Sequence, residues 1–566
     1  LKSFLPFGDT ILITPTRKDK AHSLPMPKGR GSRADSMSLS RQLWLLGALA
    51  LVTLMVSIGV SAQDEKVIVI GHAESTDSLD PAHGYTGTTN MIIRATYDTL
   101  VTFPDADASS IEAMLATDWA ISDDGLTYTF TLREDGVFSD GTPITAADVV
   151  FSIKRLQNIK GNPSFLADNI ADVVADGDYT VTFTLKAIRP SFLSELTNYS
   201  FSVTNSKAII ANGGTDAADA ATTDTAQTFL DGTSAGSGPY VLESWELQVQ
   251  TVLVKNPNYS GVREAYFDRV IIQNIVESAT QKIALESGEI DIALEVTSDQ
   301  VAEMAGNADI AVYKNAGLQV HFVLMNADPE IGGPVADPKV AKAIRLALDY
   351  EGYLDLWGGV TPGSNLAVGL AGAYSNVSGN AVTRNLDEAK ALLAEAGYAD
   401  GFTIDLNYPD FTWQGVNMNT NAQKIQSDLT EVGITVNLVP AEIQVALEGY
   451  RSGTQGFAYW FWGPDILDPL DMLSFLPGGK VASERAKWMA ENADPALLEL
   501  IEQAKVETDA AARDEIFAQL QDIAQESGAF APFVQPDLTA ATRADIEGYV
   551  WHPQWTLDVS LLKRAE

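Results

Sequence analysis

Cysteine is absent from the 566 residues. Disulfides, zinc–thiolate centres, iron–sulfur clusters and thiol nucleophiles are therefore excluded. Histidine is scarce, with five at His22, His72, His83, His321 and His552. No two stand at helical metal-ligand spacing, which removes a zincin-type site. No metal and no cofactor are expected, and no phosphate-binding glycine loop is visible. Positive charge is also short: 37 Lys and Arg stand against 75 Asp and Glu, a net charge of −38. Past residue 62 the imbalance grows to 29 basic against 72 acidic groups. Such a surface repels phosphate backbones, so nucleic-acid binding is excluded. It favours solubility and attracts cationic ligands weakly. Adaptation to a salty or acidic habitat explains the charge better than a direct role in binding. The remainder, 46% hydrophobic and 20% charged, is ordinary globular composition, long enough for several domains or one composite.

Met37 opens a stretch with an export pattern. Arg41 supplies a basic start, Leu43 to Val60 an apolar run, and Val60-Ser61-Ala62 small residues before Gln63. Residues 37–62 are expected to be a cleaved signal peptide. A retained membrane anchor is the alternative, since the run is about bilayer length. Cleavage is preferred because acidic globular sequence starts at once. Residues 1–36 begin with Leu, are basic and lack periodicity. They read as a non-native or disordered leader from a misplaced start. Without a cysteine there is no lipoprotein anchor, and a soluble periplasmic protein is expected.

Further on, helical and strand patterns alternate, which gives an α/β class. Lys66–Glu74, Leu126–Asp135 and Tyr179–Lys186 read as strands, the last two by polar–apolar alternation. Thr145–Gln157 reads as a helix with Thr145 as N-cap and Asp148 in its first turn. Ala211–Gly238 is small, polar and Gly-rich, and reads as a connection between subdomains. Pro338–Trp357 reads as one amphipathic helix, and Asn385–Gly397 and Asn421–Gly433 as two more with glycine stops.

Seven phrases stand in order along this pattern. They are Leu79-Asp80-Pro81; "LTYTFTLREDGVFSDGTPITAADVVFSIKRL"; "GSGPYVLESW" with "NPNY"; "ALESGEIDIA"; "DPKVAKAIRLALD"; "DEAKALLAEAGYADG"; and "KIQSDLTEVGITVNL". The sequence thereby resembles the family 5 extracellular solute-binding proteins, the dipeptide- and oligopeptide-binding type that serve ABC importers. The resemblance runs from about residue 66 to the C-terminus. It implies a two-lobed periplasmic-binding-protein type II fold with an extra N-terminal subdomain. Lobe I would comprise 63–98, 236–318 and 531–566, the inserted subdomain 99–235, and lobe II 319–530. Crossings near Asn315–Ala327 and Phe530–Asp537 would form the hinge. A monomer is implied that captures a peptide or other small solute and presents it to a membrane permease. The Asp140-Gly141-Thr142-Pro143 step is turn chemistry and scaffold, so ligand choice must lie elsewhere.

The stretch "YWFWGPDILDP" (Tyr459 to Pro469) sets four aromatics beside two carboxylates. In peptide-binding members an aspartate in a D-x-x-[DE]-P step pairs with the ligand's N-terminal ammonium. Asp465-Ile466-Leu467-Asp468-Pro469 fits that step, so Asp465 is implied as the amine partner. The structural alternative is an Asx-turn that caps the following segment. At strand spacing Trp460 and Trp462 share one face, Tyr459 and Phe461 the other. One pair packs in the core and the other lines the pocket; Trp460 and Trp462 are taken as ligand-binding, with Trp413 and Tyr85. Two departures weaken a dipeptide assignment. Ile443 stands where dipeptide binders often carry Trp, and no Arg precedes "KIQSDL" to meet a ligand carboxylate. Longer peptides, an oligosaccharide or another amine-bearing solute stay open.

A secreted hydrolase is the remote alternative. Gly232-Thr233-Ser234-Ala235-Gly236 matches G-x-S-x-G, but that elbow needs a strand before it and a helix after it. Here a Gly-rich linker precedes and a turn into a strand follows. His321 lies mid-strand and reads as a packed histidine. Glu277 with Glu286, or Asp465 with Asp468, could pass for glycosidase carboxylates, yet Asp468 before Pro is turn chemistry. No catalytic residue is assigned.

Overall fold

Val67–His72 is the strand around which the first half of the fold is built. It pairs in parallel with Arg269–Asn274 on one side and Ile292–Ala293 on the other. Ile68 and Ile70, on one face of this central strand, are fully buried, and Val69 on the other is half-buried. Four more strands complete a seven-stranded sheet: Gln250–Lys255, Tyr240–Glu246, Ile310–Ala316 and Asp537–Arg543. These belong to a computed structural model that describes residues 65–105, 107–108, 110–370, 373 and 382–565. The leader and signal-peptide readings at residues 1–62 lie outside the described residues.

A second, five-stranded sheet runs in the order Ile434–Ala441, Phe402–Pro409, Phe457–Trp462, Val320–Met325, Phe530–Val534. The chain passes between the two sheets twice, at residues 317–319 and 535–536, giving a two-lobed molecule. The crossings are stitched together. Gln535, 1% exposed, donates its amide to the carbonyls of Gly317 at 2.6 Å and Val368 at 2.8 Å. A Cβ on Gly317 would sit 2.6 Å from the Pro536 carbonyl oxygen, so only glycine permits this approach. A third sheet, antiparallel and four-stranded, is made of Ala116–Ile121, Thr127–Leu132, Thr180–Leu185 and Ile170–Ala175.

The recurrent phrases fold as their chemistry dictates. Asp140 accepts the Thr142 N–H at 2.9 Å, and Gly141 takes φ +84°. Asp148 Oδ2 accepts the Thr145 N–H at 2.9 Å and its hydroxyl at 2.7 Å, opening the helix Ala146–Ile159. On that helix Arg155 meets Asp80 through two 2.7 Å bonds and Asp224 at 2.9 Å. The Leu79-Asp80-Pro81 step thus ties the loop after the Val67–His72 strand to the helix Ala146–Ile159.

Two expectations need correction. Residues 338–357 form two helices, Pro338–Ala347 and Tyr350–Trp357. The chain turns at Leu348 and Asp349, where Asp349 donates its N–H to Asp428 and accepts from Lys424 at 2.7 Å. The apolar period continues across the break, which hides it in sequence. The Gly-rich stretch 211–238 is not an open connection. It contains the short helices Ala220–Thr223 and Gln227–Gly232, anchored by Asp224 on Arg155.

Candidate ligand-binding site

A cavity of about 680 Å³ lies between the two large sheets. That is within the range of small-molecule sites. The register of the five-stranded sheet decides which rings face it. Phe461 stands opposite His321, and Trp460 opposite Phe322. Phe461 lines the cavity and Trp460 lies on the far face.

Trp413 joins Phe461 from a hairpin, Thr412–Trp413 with Val416–Asn417. Its turn residues, Gln414 at φ +49° and Gly415 at φ +75°, give the tight primed turn of a two-residue loop. A Cβ on Gly415 would lie 2.2 Å from Thr297 Cγ2 of the first lobe, so the tip fits only as glycine. Trp413 and Phe461 stack at 6.1 Å and 17°, with His321 and Trp357 behind them. The first lobe contributes Tyr85 and Trp551 to the opposite wall.

Asp465 also lines the cavity. Its carboxylate accepts the Tyr85 hydroxyl at 2.5 Å. Burial raises its pKa, and the Tyr85 bond works against that rise. Asp465 donates its N–H to Asp471, which also accepts the Trp462 indole N–H at 3.2 Å. Burial, then the charge of Asp465, pushes Asp471 well above the carboxylate range. Asp468 has a different task. It caps the turn Pro469–Phe475 through the Leu470 N–H at 2.9 Å and pairs with Arg513. The cap that could have explained Asp465 is therefore made by Asp468.

Asp465, Trp413 and Tyr85 thus meet at one cavity, and Trp460 and Trp462 do not line it. Trp460 is 4% exposed, stacks on Tyr450 at 4.5 Å and donates to Gln455 at 2.8 Å. Trp462 packs edge-on against Phe475 and under Arg485. The pair shares a face as expected, but that face is core. Strand periodicity separates the two pairs without saying which one turns to the ligand.

Sequence reasoning missed the polar wall of the first lobe. His72 ends the Val67–His72 strand with Glu74 two residues on, and Glu295 lies two residues past Ile292–Ala293. The ends of adjacent parallel strands are a common place for ligand contacts, and this was the available signal. His72 Nδ1 bonds Glu295, which also accepts the Ala73 N–H at 2.9 Å and the Gln281 amide at 2.8 Å. Burial works against charge on His72, but Glu295 and Glu74 outweigh it and raise its pKa. Glu74 lines the cavity with its side chain exposed there and accepts the Thr88 N–H at 3.0 Å, and loss of solvation raises its carboxyl pKa.

The hydrolase constellations do not assemble. Ser234 follows the helix Gln227–Gly232 and precedes the strand Tyr240–Glu246, the reverse of an elbow. Its oxygen accepts the Leu242 N–H at 3.1 Å. His321 is fully buried, shares a hydrogen bond with the Tyr459 hydroxyl at 2.7 Å and has its pKa pushed down to about 3 by burial. Glu286 pairs with Lys282 and does not line the cavity.

Two lobes that close over a polar and aromatic cavity define a solute-binding protein. The family model for bacterial extracellular solute-binding proteins, family 5 Middle, matches residues 110–483, and the chain belongs to that family. It is 28% identical over 510 residues to the "Probable D,D-dipeptide-binding periplasmic protein" of Escherichia coli K12, covering 87% of this chain and 93% of that one. In fold it is similar to the ABC transporter-associated periplasmic binding protein of Helicobacter pylori in complex with peptide STSA, with TM-score 0.72, 24% identity, and 90% of this chain and 100% of that one covered. It is equally similar to a binding protein from A. tumefacien R10 in complex with agropinic acid, with TM-score 0.72, 23% identity, and coverage of 88% and 99%.

Proposed function

We propose that this protein captures a peptide-like solute in the periplasm and delivers it to the permease of an ABC importer, doing no chemistry on it. The observation that carries this reading is Asp465, a half-buried, largely desolvated carboxylate on the cavity wall beside Trp413 and Phe461. A buried carboxylate needs a paired charge, and a ligand ammonium supplies charge and donors together. Tyr85 and the aromatic pair then hold the ligand's first residues. The names of the relatives, which include dipeptide and di/tripeptide binders, support the same solute class. On this reading 63–98, 236–318 and 531–566 form lobe I, 99–235 an inserted subdomain and 319–530 lobe II. The two crossings act as hinge, and a monomer closes around its ligand.

A thermal-shift series tests it. Free-amine peptides of about two to eight residues are compared with their N-acetyl forms and with oligosaccharides. A ligand at 100 times its Kd adds about 2.7 kcal/mol of stability. Free-amine peptides shift the melt and acetylated ones do not, and Asp465→Asn abolishes the shift. A shift with sugars alone would overturn the peptide reading and make Trp413 and Phe461 a stacking platform.

A further inference from the structure

The charges around the cavity are of one sign. Glu74, Glu277, Glu295 and Asp465 line it, and no Lys or Arg does so among the described residues. Nearby cations belong elsewhere. Arg485 lies over Tyr450 and Trp462, behind the wall. Arg189 and Lys505 line a separate space on the other side of Asp465, and pair there with Glu195 and Glu502. A ligand carboxylate entering the main cavity meets no cationic side chain other than His72.

The unpartnered polar atoms tell the same way. Asn90 commits its amide N–H to the Gln554 carbonyl at 3.0 Å, which leaves Oδ1 with no donor. Gln319 Oε1 and Gln414 Oε1 are also without donors; all three residues line the cavity, with these oxygens themselves shielded from its open space. His72, 7% exposed, places Nδ1 on Glu295 and leaves Nε2 unpartnered at the same wall. Buried acceptors in native proteins are nearly always satisfied. The three amide oxygens lack N–H donors, whereas His72 Nε2 lacks a donor when the ring is neutral and an acceptor when it is protonated. Around His72 two carboxylates, Glu295 and Glu74, face one imidazole. The carboxylates outnumber the imidazole at that wall, and an enclosed site amplifies the attraction between a carboxylate and a cation.

We propose that the cavity holds a second cationic group of its ligand at the Glu74–Glu295 wall, opposite the ammonium at Asp465, so that the solute is a short basic peptide. The proposal rests on the peptide reading above and narrows it. Calorimetric titration of the protein with Lys-Ala, Ala-Ala, Ala-Glu and the diamine cadaverine tests it. Lys-Ala binds at least about tenfold more tightly than Ala-Ala, and Ala-Glu binds most weakly, as expected for charge complementarity. In Glu74→Gln the ratio of Lys-Ala to Ala-Ala affinity shrinks to within about threefold, and the wild-type ratio decides the matter even if that variant folds poorly. Equal affinity for Lys-Ala and Ala-Ala overturns this proposal while peptide binding stands. Binding of cadaverine with no peptide binding supports the cationic wall and overturns the peptide reading. No binding by any of the four overturns this proposal, while the two-to-eight-residue series above decides the peptide reading itself.

Discussion

The Tyr85 hydroxyl donates to the Asp465 carboxylate at 2.5 Å across 380 positions of sequence. One residue precedes the first helix of the first lobe, and the other follows the last strand of the aromatic stretch in the second. Both residues line the cavity, and their bond joins its two walls. It also keeps a buried carboxylate from rising further in pKa, because the hydroxyl stabilises the charged form.

That role gives a pH signature. Ammonium binding requires ionised Asp465, so peptide affinity weakens as pH falls through the Asp465 pKa. Burial raises that pKa and the Tyr85 bond lowers it. In Tyr85→Phe the midpoint of the affinity–pH curve moves to higher pH. Calorimetric titration across the acid range reads the shift, and an unmoved midpoint would remove Tyr85 from this account.

The two faces of the strand Phe457–Trp462 separate binding from stability. Phe461→Ala weakens ligand affinity with a modest effect on the melt, since the ring is half-exposed on the cavity wall. Trp460→Ala removes a buried ring and the hydrogen bond to Gln455, and costs about 3–5 kcal/mol of stability. Denaturant melts alongside ligand titrations distinguish the two.

Arg155 holds two buried carboxylates. Arg155→Met leaves Asp80 and Asp224 uncompensated and costs about 3–5 kcal/mol in denaturant unfolding. The double variant Asp80→Asn with Arg155→Met recovers part of that loss, because one of the stranded charges is gone. Asp80 is held well below the ordinary carboxylate range, chiefly by the Arg155 bonds working against burial. Its contribution is therefore present above the unfolded carboxylate pKa and is lost as pH falls through the lower folded value.

His321 sets a second acid dependence with its own window. Its folded pKa is pushed down to about 3 by burial, against an ordinary value of 6.5. Between those values the unfolded chain binds a proton that the folded one does not. Stability therefore falls on acidification through this window, by up to about 1.4 kcal/mol per pH unit. His552, also pushed down to about 3, adds a term of the same sign. The variant His321→Phe shows a shallower loss between pH 6.5 and 3 in denaturant melts.

Sequence settled much of this protein through local chemistry. Alternation places the strands Thr127–Leu132 and Thr180–Leu185, and the Thr145–Asp148 box starts its helix. Asp468 before Pro469 is legible as turn chemistry, and Asp465 as the ligand-facing candidate beside it. These features depend on neighbours within a few residues, so the chain states them directly. The rest depended on packing. Pleating fixes that Trp460 and Trp462 share a face, but only the helices packed on the sheet decide that this face is core. His72 and Glu295 stand 223 positions apart, and no periodicity links them. They meet because Val67–His72 and Ile292–Ala293 pair in parallel, with the chain leaving both strands at the cavity. The polar wall is thus a product of strand order, which only the tertiary structure supplies.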